Sequence, residues 1–374
     1  MSVLAVDRQS LHDASVWDAV RQDARTRGES LSGFHNRNYV IDLRPDMAES
    51  LRFEAHTQVK VRIPLKDSLK VVERVWADEG AVLNALQRMP GVKNTPRHLA
   101  GLTGFAVHEY VPGQALSRVC APGKPVDLFV VDAVVGQMAR FTRVPASDLP
   151  PLPAGWSPDG DSRGFLQARV NFAEHEVREA NWSEFAQLFA ALSIPANALR
   201  WFHDRIPPML SRPFALIHGD LHRHNLIVRA DGGLTIVDWE LAMWGDPLHD
   251  LAIHLVRMRY PSEQRSEVVD RWRKAVLRVR PEAAAGLDHD LPVYVAFERA
   301  QSLFADTMRV ALTLAAQARP RKVGAAVSRV RAALHMAAVP LRLRRLATRT
   351  EVERALLDWV RKREAGGSGT VNAD

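Results

Sequence analysis

The chain has 374 residues and a formal net charge of +7, and 47% of its residues are hydrophobic, which suits a globular protein of two lobes. No hydrophobic run reaches the roughly 18 to 20 residues that span a bilayer, and the polar N-terminus does not resemble a signal peptide, so we expect a cytoplasmic protein without a membrane span. A single cysteine, Cys120, excludes an internal disulfide and a cysteine-based zinc site.

The first part of the chain is predicted to be a small β-rich region with one internal helix after an N-terminal helix. The predicted elements are a helix over residues 10–25, strands over 34–43, 57–64 and 69–76, a helix over 77–89 and a strand over 102–111. Gly28 ends the first helix, and Pro112 and Gly113 form a turn after the last strand.

Beyond Gly113 the pattern changes to long apolar helices. Residues 126–142 predict one of them, and a proline-rich loop follows at 146–164. Strand patterns return only within residues 214–240. They cover residues 214–218, 225–230 and 234–240, and the sequence "ADGG" supplies a hairpin turn between the last two.

These elements predict an α+β architecture with a small antiparallel sheet lobe and a larger, mainly helical lobe. We expect residues 1–110 to form the first lobe, residues 111–364 the second, and residues 365–374 a disordered tail. A cleft between two lobes is where a ligand is expected to bind.

Positive charge is concentrated near the C-terminus. Residues 319–363 contain 13 lysines and arginines but 3 acidic residues. The basic residues alternate with Leu, Val and Ala at helical spacing, which is typical of amphipathic helices with a solvated basic face. The alternative is a docking surface for acidic partners, nucleic acid or anionic lipid. No nucleic-acid-binding motif supports it, and we expect no nucleic-acid partner.

The sequence "HGDLHRHN" at residues 218–225 places polar and titratable side chains at the start of the predicted hairpin. Asp220 lies five residues before Asn225, and Asp238, in "IVDWE", lies thirteen residues after it. Two carboxylates and an amide can therefore converge across one hairpin. Phosphoryl transfer needs such a set, because one carboxylate orients the attacking hydroxyl while another carboxylate and an amide oxygen hold Mg²⁺.

This pattern resembles the aminoglycoside phosphotransferase and choline kinase-like families, relatives of the protein kinases whose catalytic loop is H-R-D-L-x-x-x-N. The resemblance implies a bilobal protein-kinase-like fold that uses ATP and Mg²⁺. It also implies that Asp220 is the catalytic base, Asn225 a Mg²⁺ ligand and Asp238 the principal Mg²⁺ ligand. In "GDPLHDLA", Asp246 and Asp250 match family residues that brace the loop and a helix cap.

The N-terminal lobe shows a weaker match to the same family. "LSGFHNRNYVID" lies where the family has a G-x-S-N-x-x-Y-x-V turn that closes over the ATP phosphates. Ser32 and Asn36 would contribute to this loop, although His35 fills the usual serine position. By itself the segment predicts an ordinary β-turn.

A basic side chain for the α- and β-phosphates is expected on the strand over residues 57–64, which offers Lys60 and Arg62 on one face. Family usage favours Arg62, ordinary kinase usage favours Lys60, and Arg74 is a third candidate. Glu79, at the start of the next helix, matches the family's ion-pair partner for this cation.

The segment "VHEYVPG" resembles the family's hinge between the lobes. There the backbone near Glu109, Tyr110 and Val111 would hydrogen-bond the adenine of ATP. An apolar strand that ends in a Pro-Gly turn is common in unrelated proteins.

The histidines of the motif raise the possibility of a zinc site. His218 and His222 would share one face of a helix, but the flanking apolar strands argue against a helix here. The resemblance implies that His218 is structural, and His222 and His224 vary among family members.

Three classes of function follow. The first is an ATP-dependent transfer of phosphate to a hydroxyl of a small molecule, either an antibiotic, as in antibiotic resistance, or an amino alcohol, sugar or nucleoside metabolite. The second is a catalytically weak kinase-like binding or regulatory module, disfavoured because Asp220, Asn225 and Asp238 are all present. The third is a protein kinase, disfavoured because no A-P-E segment follows Asp238.

The acceptor should bind in the helical lobe, near residues 165–205 and 290–310. A polycationic aminoglycoside needs an acidic pocket. Acidic candidates are Glu174, Glu176, Glu179, Glu298 and Asp306, and the arginines interleaved with them are Arg169, Arg178, Arg299 and Arg309. A less charged acceptor could be bound by Trp156, Trp182, Trp201 and Trp244, although packing in the core is the favoured explanation for each of them.

Overall fold

An antiparallel five-stranded sheet forms the N-terminal part of the computed structural model, which describes residues 8–31, 33, 36–65, 69–89, 91–92, 94–316 and 320–367. Its strands are β1 (Glu29–Leu31), β2 (Asn36–Asp42), β3 (Gln58–Pro64), β4 (His98–Leu102) and β5 (Phe105–Glu109). They are hydrogen-bonded in the order β1-β2-β3-β5-β4. Helices α1 (Arg8–Arg27) and α2 (Pro45–Ser50) belong to the same part of the chain.

Alternation along β3 separates a core face from a cleft face. Val59 and Val61 are fully buried against Val107 of β5 and Val20 of α1. Because side chains on a strand alternate, Lys60 and Arg62 project from the opposite face. The core of this lobe therefore fixes which face of β3 carries the two cations.

The strand predicted over residues 69–76 is wrong, because these residues form an irregular segment before α3 (Glu79–Gln87). Val71 and Trp76 are buried in the core of the helical lobe, and Trp76 Nε1 donates to the Pro150 carbonyl at 3.0 Å. The apolar residues that suggested a strand thus pack against the other lobe instead of pairing with the sheet.

The strand predicted over residues 102–111 begins too early. Thr103 and Gly104 form a turn, with φ +84° at Gly104, that joins β4 to β5. A left-handed conformation costs glycine little, which explains the sharp reversal. Strand β4 was not predicted, because it is short and only partly buried and therefore has a weak sequence pattern.

The rest of the chain is mainly helical, and no helix among the described residues is long and apolar enough to cross a membrane. The helices are α4 (Leu116–Val119), α5 (Leu128–Phe141), α6 (Ser162–Phe172), α7 (Trp182–Ala191), α8 (Ala198–His203), α9 (Pro247–Met258), α10 (Ser262–Val279), α11 (Leu287–Ala316), α12 (Pro320–Ala337) and α13 (Arg349–Gly367). A π-helical segment, Ala173–Glu179, continues α6, and 3-10 turns lie at Ala146–Asp148 and Pro281–Ala284.

The basic C-terminal helices are amphipathic, as predicted. Helix α12 buries Val327 and Val330 while Arg329 is exposed, and α13 buries Leu356 while Arg354 is exposed. Helix α13 also includes the first residues of the predicted disordered tail, and residues 368–374 lie outside the described residues.

Five short strands interrupt the helices in the described part of the chain, and three of them lie within residues 214–240, where strands were predicted. They are β6 (Gln114–Ala115), β7 (Ala215–Ile217), β8 (Leu226–Val228), β9 (Leu234–Ile236) and β10 (Met243–Gly245). Strands β8 and β9 form the predicted hairpin, β6 pairs with β8, and β10 pairs with β7. Strands β6 and β10 are too short to produce a recognisable sequence pattern.

Candidate active site

The β8–β9 hairpin brings the three residues of the predicted site together. Asp220 lies in the loop before β8, Asn225 immediately precedes β8, and Asp238 follows β9. Asn225 Nδ2 donates to the Asp220 carbonyl at 2.9 Å and to its carboxylate at 3.2 Å. A Cβ atom on Gly219 (φ +76°) would lie 2.3 Å from the Leu241 carbonyl oxygen, so a side chain does not fit there.

The loop around Asp220 is hydrogen-bonded to α9. The buried Asp250 carboxylate accepts hydrogen bonds from the backbone N–H groups of His218 at 3.2 Å and Gly219 at 2.9 Å. His218 Nε2 lies 3.2 Å from the Val237 carbonyl, and His254 Nδ1 lies 3.1 Å from the Leu221 carbonyl. Within the described residues no three His, Cys, Asp or Glu side chains are grouped to hold a metal ion.

Helix α9 is itself anchored by a buried ionic network. Asp246 caps the helix by accepting from the Leu248 N–H at 2.9 Å, and it also pairs with Arg212 at 2.5 Å. Tyr294 of α11 donates to the same carboxylate at 2.8 Å. Asp246 and Asp250 thus brace the helix and the loop.

Acid is expected to destabilise the fold through buried histidines. Burial lowers the pKa of His218 and His254 to about 4 and, together with the charges of Arg169 and Arg257, the pKa of His249 to about 3. These side chains are neutral when folded and take up protons on unfolding, so stability is complete above their ordinary pKa and falls as the pH drops from about 6.5 towards 4.

Asp250 opposes this trend, because burial raises its pKa to about 6 and its protonated form therefore favours folding below that pH. Burial also raises the pKa of five other carboxyls, Glu73, Glu79, Glu240, Asp246 and Glu298, but each of them is paired with an arginine that favours its charged form. Burial lowers the pKa of a fourth histidine, His108, to about 2, so we expect the histidines to set the trend. We expect the thermal midpoint to fall by several degrees between pH 7 and pH 4.5, measured by circular dichroism, with a shallower fall in His254→Gln. A midpoint that rises on acidification would contradict the assignment.

Arg62 connects the N-terminal lobe to the hairpin. Its buried guanidinium forms an ion pair with Glu79 at the start of α3, and its Nη2 lies 2.9 Å from Asp238 Oδ1 and 2.9 Å from Glu240 Oε2. Glu79 also accepts from the Trp239 N–H at 2.8 Å. Burial lowers the pKa of Arg62, but the surrounding carboxylates outweigh it and the pKa lies above its ordinary value.

Glu240 is a residue of this cluster that the sequence interpretation did not single out. Its Oε2 accepts from Asn36 Nδ2 at 2.9 Å and pairs with Arg74 at 3.0 Å as well as with Arg62. The one feature of the sequence that could have indicated its role is its position two residues after Asp238. Ser32 lies outside the described residues.

Lys60 lies beside this cluster without joining it. Among the described residues its ammonium group has no hydrogen-bond or ion-pair partner, and burial together with the Arg62 charge lowers its pKa. Of the two cations predicted on β3, Arg62 is the one that contacts Glu79 and Asp238.

The predicted hinge lies where β5 ends. The Glu109 N–H donates to the Arg97 carbonyl at 2.8 Å, and the Glu109 carboxylate lies 3.2 Å from Arg97 Nε. Within the described part of the chain, the Val111 backbone has no protein hydrogen-bond partner. Its polar groups are thus available between the two lobes.

Asp220 has a partner that the sequence interpretation missed. Arg257 of α9 forms a hydrogen-bonded ion pair with Asp220 Oδ1, and its Nε donates to Glu298 at 3.1 Å. His222 Nε2 lies 3.4 Å from Asp220 Oδ2. Burial raises the pKa of Asp220, but Arg257 and His222 outweigh it, and the carboxyl is held well below its usual range.

Most acidic residues predicted for acceptor binding pair with neighbours on the protein surface or in the helical core. The pairs are Glu174 with Arg178, Glu176 with Lys70, and Glu179 with His175. Only Glu298 is linked to Asp220, through Arg257. The remaining candidate, Asp306, lies 4.0 Å from Arg309.

The tryptophans predicted as possible walls of the acceptor site contact other protein groups. Trp156 Nε1 donates to the Trp244 carbonyl at 2.8 Å. Trp201 lies between the guanidinium groups of Arg205, at 4.5 Å, and Arg342, at 4.7 Å. Trp182 packs against Phe189, with ring centroids 6.1 Å apart.

Comparison with known proteins places the chain among phosphotransferases. The model of the phosphotransferase enzyme family (APH) matches residues 31–287, more than half of the chain. No curated protein matches the sequence.

Solved structures are similar to this chain at low sequence identity. A protein of Ralstonia eutropha JMP134, classed provisionally as an aminoglycoside phosphotransferase, has 16% identity and a TM-score of 0.54, over 93% of this chain and 98% of that one. The macrolide 2'-phosphotransferase MphH of Brachybacterium faecium has 18% identity and a TM-score of 0.48, over 85% and 98%. A choline/ethanolamine kinase family protein of Mesorhizobium loti has 17% identity and a TM-score of 0.46, over 91% and 99%.

The fold therefore agrees with the predicted α+β architecture, in which an antiparallel sheet lobe precedes a mainly helical lobe. The family match covers β2, β3, α3 and the whole β8–β9 hairpin, and so includes every element that carries the candidate site. The chain belongs to the phosphotransferase enzyme family.

Proposed function

We propose that the protein transfers the γ-phosphoryl group of ATP to a hydroxyl group of a small molecule, with Mg²⁺ as cofactor. The observation that carries this proposal is the position of Arg62, which reaches from β3 to Glu79 and across the cleft to Asp238. A cation from the sheet lobe, a glutamate from the following helix and an aspartate from the hairpin are the set that kinases use to hold nucleotide phosphates and metal.

Asp220 is the residue proposed to orient the acceptor hydroxyl and take its proton. It lies in the loop before β8 and accepts a hydrogen bond from Asn225 Nδ2 at 3.2 Å. Its pKa lies below the ordinary value for a carboxyl, so it is ionised at neutral pH. A weak base suits a loose transition state, in which the hydroxyl loses its proton late and positioning matters most.

The donor set fits Mg²⁺. Asp238 has φ +70°, an uncommon conformation for a residue with a side chain, and its carboxylate is 32% exposed towards the cleft. Asn225 uses its Nδ2 for Asp220, which leaves Oδ1 for a cation. Hard oxygen ligands suit Mg²⁺, which would neutralise charge on the nucleotide phosphates.

The nucleotide is proposed to lie between the sheet and the hairpin. A cavity of about 600 Å³ beside the Arg62–Glu79 ion pair is also lined by Asn36, Arg74, Glu240 and the β4–β5 turn, which supports the phosphate end of this placement. Its described lining does not include Glu109 or Val111, which lie at the other end of β5. We assign Arg62, assisted by the nearby charge of Lys60, to the phosphates, and the backbone of Glu109 and Val111 to the adenine. Ser32 and Asn36 would belong to the loop that covers the phosphates.

Mg²⁺·ATP is expected to stabilise the purified protein. A ligand present at 100 times its dissociation constant adds about 2.7 kcal/mol to the free energy of unfolding, which raises the thermal midpoint by several degrees. ATP with EDTA should stabilise the wild type less than Mg²⁺·ATP, and this difference should shrink in Asp238→Asn.

Activity is tested by coupled ADP release with hydroxylated antibiotics, amino alcohols, sugars and nucleosides as acceptors. Acceptor-dependent ADP release supports the proposed function. A protein that neither binds Mg²⁺·ATP nor releases ADP would contradict it and would favour a binding module.

A further inference from the structure

Arg257 occupies an unusual position beside the proposed base. Its Nη1 contacts Asp220 Oδ1, while its Nε donates to Glu298 Oε1 at 3.1 Å. Among the described residues no protein atom accepts a hydrogen bond from its Nη2. The side chain is 24% exposed, whereas Glu298 is fully buried. The guanidinium is thus fixed by Glu298 at its Nε and by Asp220 at its Nη1, while part of the side chain remains exposed.

Both carboxylate oxygens of Glu298 are occupied by protein contacts, one of which is the hydrogen bond from Arg257. Its Oε2 accepts from Gln301 Nε2, and Ser302 Oγ lies 3.5 Å from its Oε1. A fully buried carboxylate whose oxygens are already engaged cannot bind an ammonium group of a ligand in the cleft. Glu298 therefore does not create a cation-binding pocket beside Asp220.

The other charged groups around Asp220 include a second arginine. Arg309 is on α11, as Glu298 is, and its side chain is 17% exposed with Asp306 at 4.0 Å. Burial and the charge of Arg257 lower the pKa of Arg309, while Asp306 and Asp220 raise it, so Arg309 belongs to the same group of interacting charges. Neighbouring arginines in a partly buried site commonly bind carboxylate or phosphate oxygens, often through two parallel hydrogen bonds.

We propose that the acceptor is a hydroxy compound that carries a carboxylate or phosphate group, and that Arg257 binds this anionic group. The inference rests on the proposed function of the same site. Arg257 keeps its hydrogen bond to Glu298 and offers Nη1 and Nη2 to the anion, which frees Asp220 Oδ1 for the acceptor hydroxyl. The hydroxyl oxygen then attacks the γ-phosphorus of ATP, its proton passes to Asp220, and the bond to ADP breaks.

This arrangement predicts a charge preference that acceptors of matched size can reveal. We would compare glycerate, glycerol and 2-amino-1,3-propanediol, then gluconate, glucose and glucosamine, and add glycerol 3-phosphate and glucose 6-phosphate. ADP release should show kcat/KM at least about tenfold higher for an anionic member than for its neutral or cationic counterparts, which corresponds to one bidentate charge-assisted contact. A preference for the neutral or cationic members would overturn the proposal.

Binding of the anions is measured separately from activity. This measurement tests the proposal even if the true acceptor is not among the compounds assayed. Each anion is added at millimolar concentration to the ADP-loaded protein, and the thermal midpoint is recorded. Anions should raise the midpoint of the wild type, less that of Arg257→Lys, and not that of Arg257→Gln. The exposed Arg354→Gln is the matched control and should behave as the wild type does.

Loss of Arg257 leaves Glu298 buried without its partner and lowers stability. The double variant Arg257→Gln/Glu298→Gln removes that charge, and the loss of anion binding should persist in it. Absence of anion binding in the wild type, or unchanged binding in Arg257→Gln, would overturn the inference. Failure of ADP itself to raise the midpoint would instead contradict the proposed function.

Discussion

Replacing Asp220 with asparagine is expected to reduce kcat by about 10²- to 10⁴-fold, the range that a positioned general base contributes. Asparagine keeps the size of the side chain and can still accept a hydrogen bond from Arg257, but it cannot take the proton of the acceptor hydroxyl. Because ATP contacts other residues, KM for ATP should change little. The measurement is steady-state ADP release with the best acceptor found, at saturating Mg²⁺·ATP.

Asp231→Asn provides the control for this prediction. Asp231 lies in the turn of the β8–β9 hairpin, and its side chain is 64% exposed. Among the described residues its carboxylate bonds to its neighbours Arg229 and Gly233. Its substitution should leave kcat within about twofold, as surface changes usually do. An Asp220→Asn enzyme with kcat within tenfold of the wild type would remove Asp220 from the role of base.

Replacing Arg62 with methionine is expected to lower kcat/KM for ATP by about 10²- to 10³-fold, the effect of removing one preorganised charged donor from a phosphate site. The variant also leaves Glu79, Asp238 and Glu240 without the cation that they share. Their mutual repulsion should open the cleft and weaken ATP binding. Kinetics are measured at low temperature, where a destabilised variant remains folded.

Lys60→Met is the informative comparison, because Lys60 lies on the same face of β3 but contacts none of the three carboxylates. We expect its effect on kcat/KM to be at least tenfold smaller than that of Arg62→Met. Arg62→Lys should retain part of the activity, since it keeps the charge but loses the ability to reach two carboxylates at once. A larger effect of Lys60→Met would identify Lys60 as the phosphate-binding cation.

Local patterns were sufficient for the hairpin and for the proximity of its polar residues. The apolar runs on either side of "ADGG" specified two strands, and the spacing of Asp220, Asn225 and Asp238 placed them at neighbouring ends of those strands. These relationships depend on backbone geometry over a short stretch of chain, which propensity and spacing describe well.

The segment over residues 69–76 shows where local patterns fail. Its alternating apolar residues suit a strand, but Val71 and Trp76 bury themselves in the helical lobe. Hydrophobic periodicity indicates that side chains are buried, but it does not indicate which part of the protein they pack against. Short strands such as β6 and β10 were missed for a related reason, because pairing partners distant in the sequence create them.

The family, the two-lobed α+β fold and the identity of the hairpin residues could be inferred from the amino-acid sequence, since each rests on residue types at fixed short spacings. The choice between Lys60 and Arg62, the participation of Glu240 and the contact of Arg257 with Asp220 required the folded chain. Arg62 and Asp238 are separated by 176 residues, and Arg257 and Asp220 by 37. Contacts over such separations follow from how the lobes and helices pack, and packing depends on the summed burial of many side chains, which no local motif encodes.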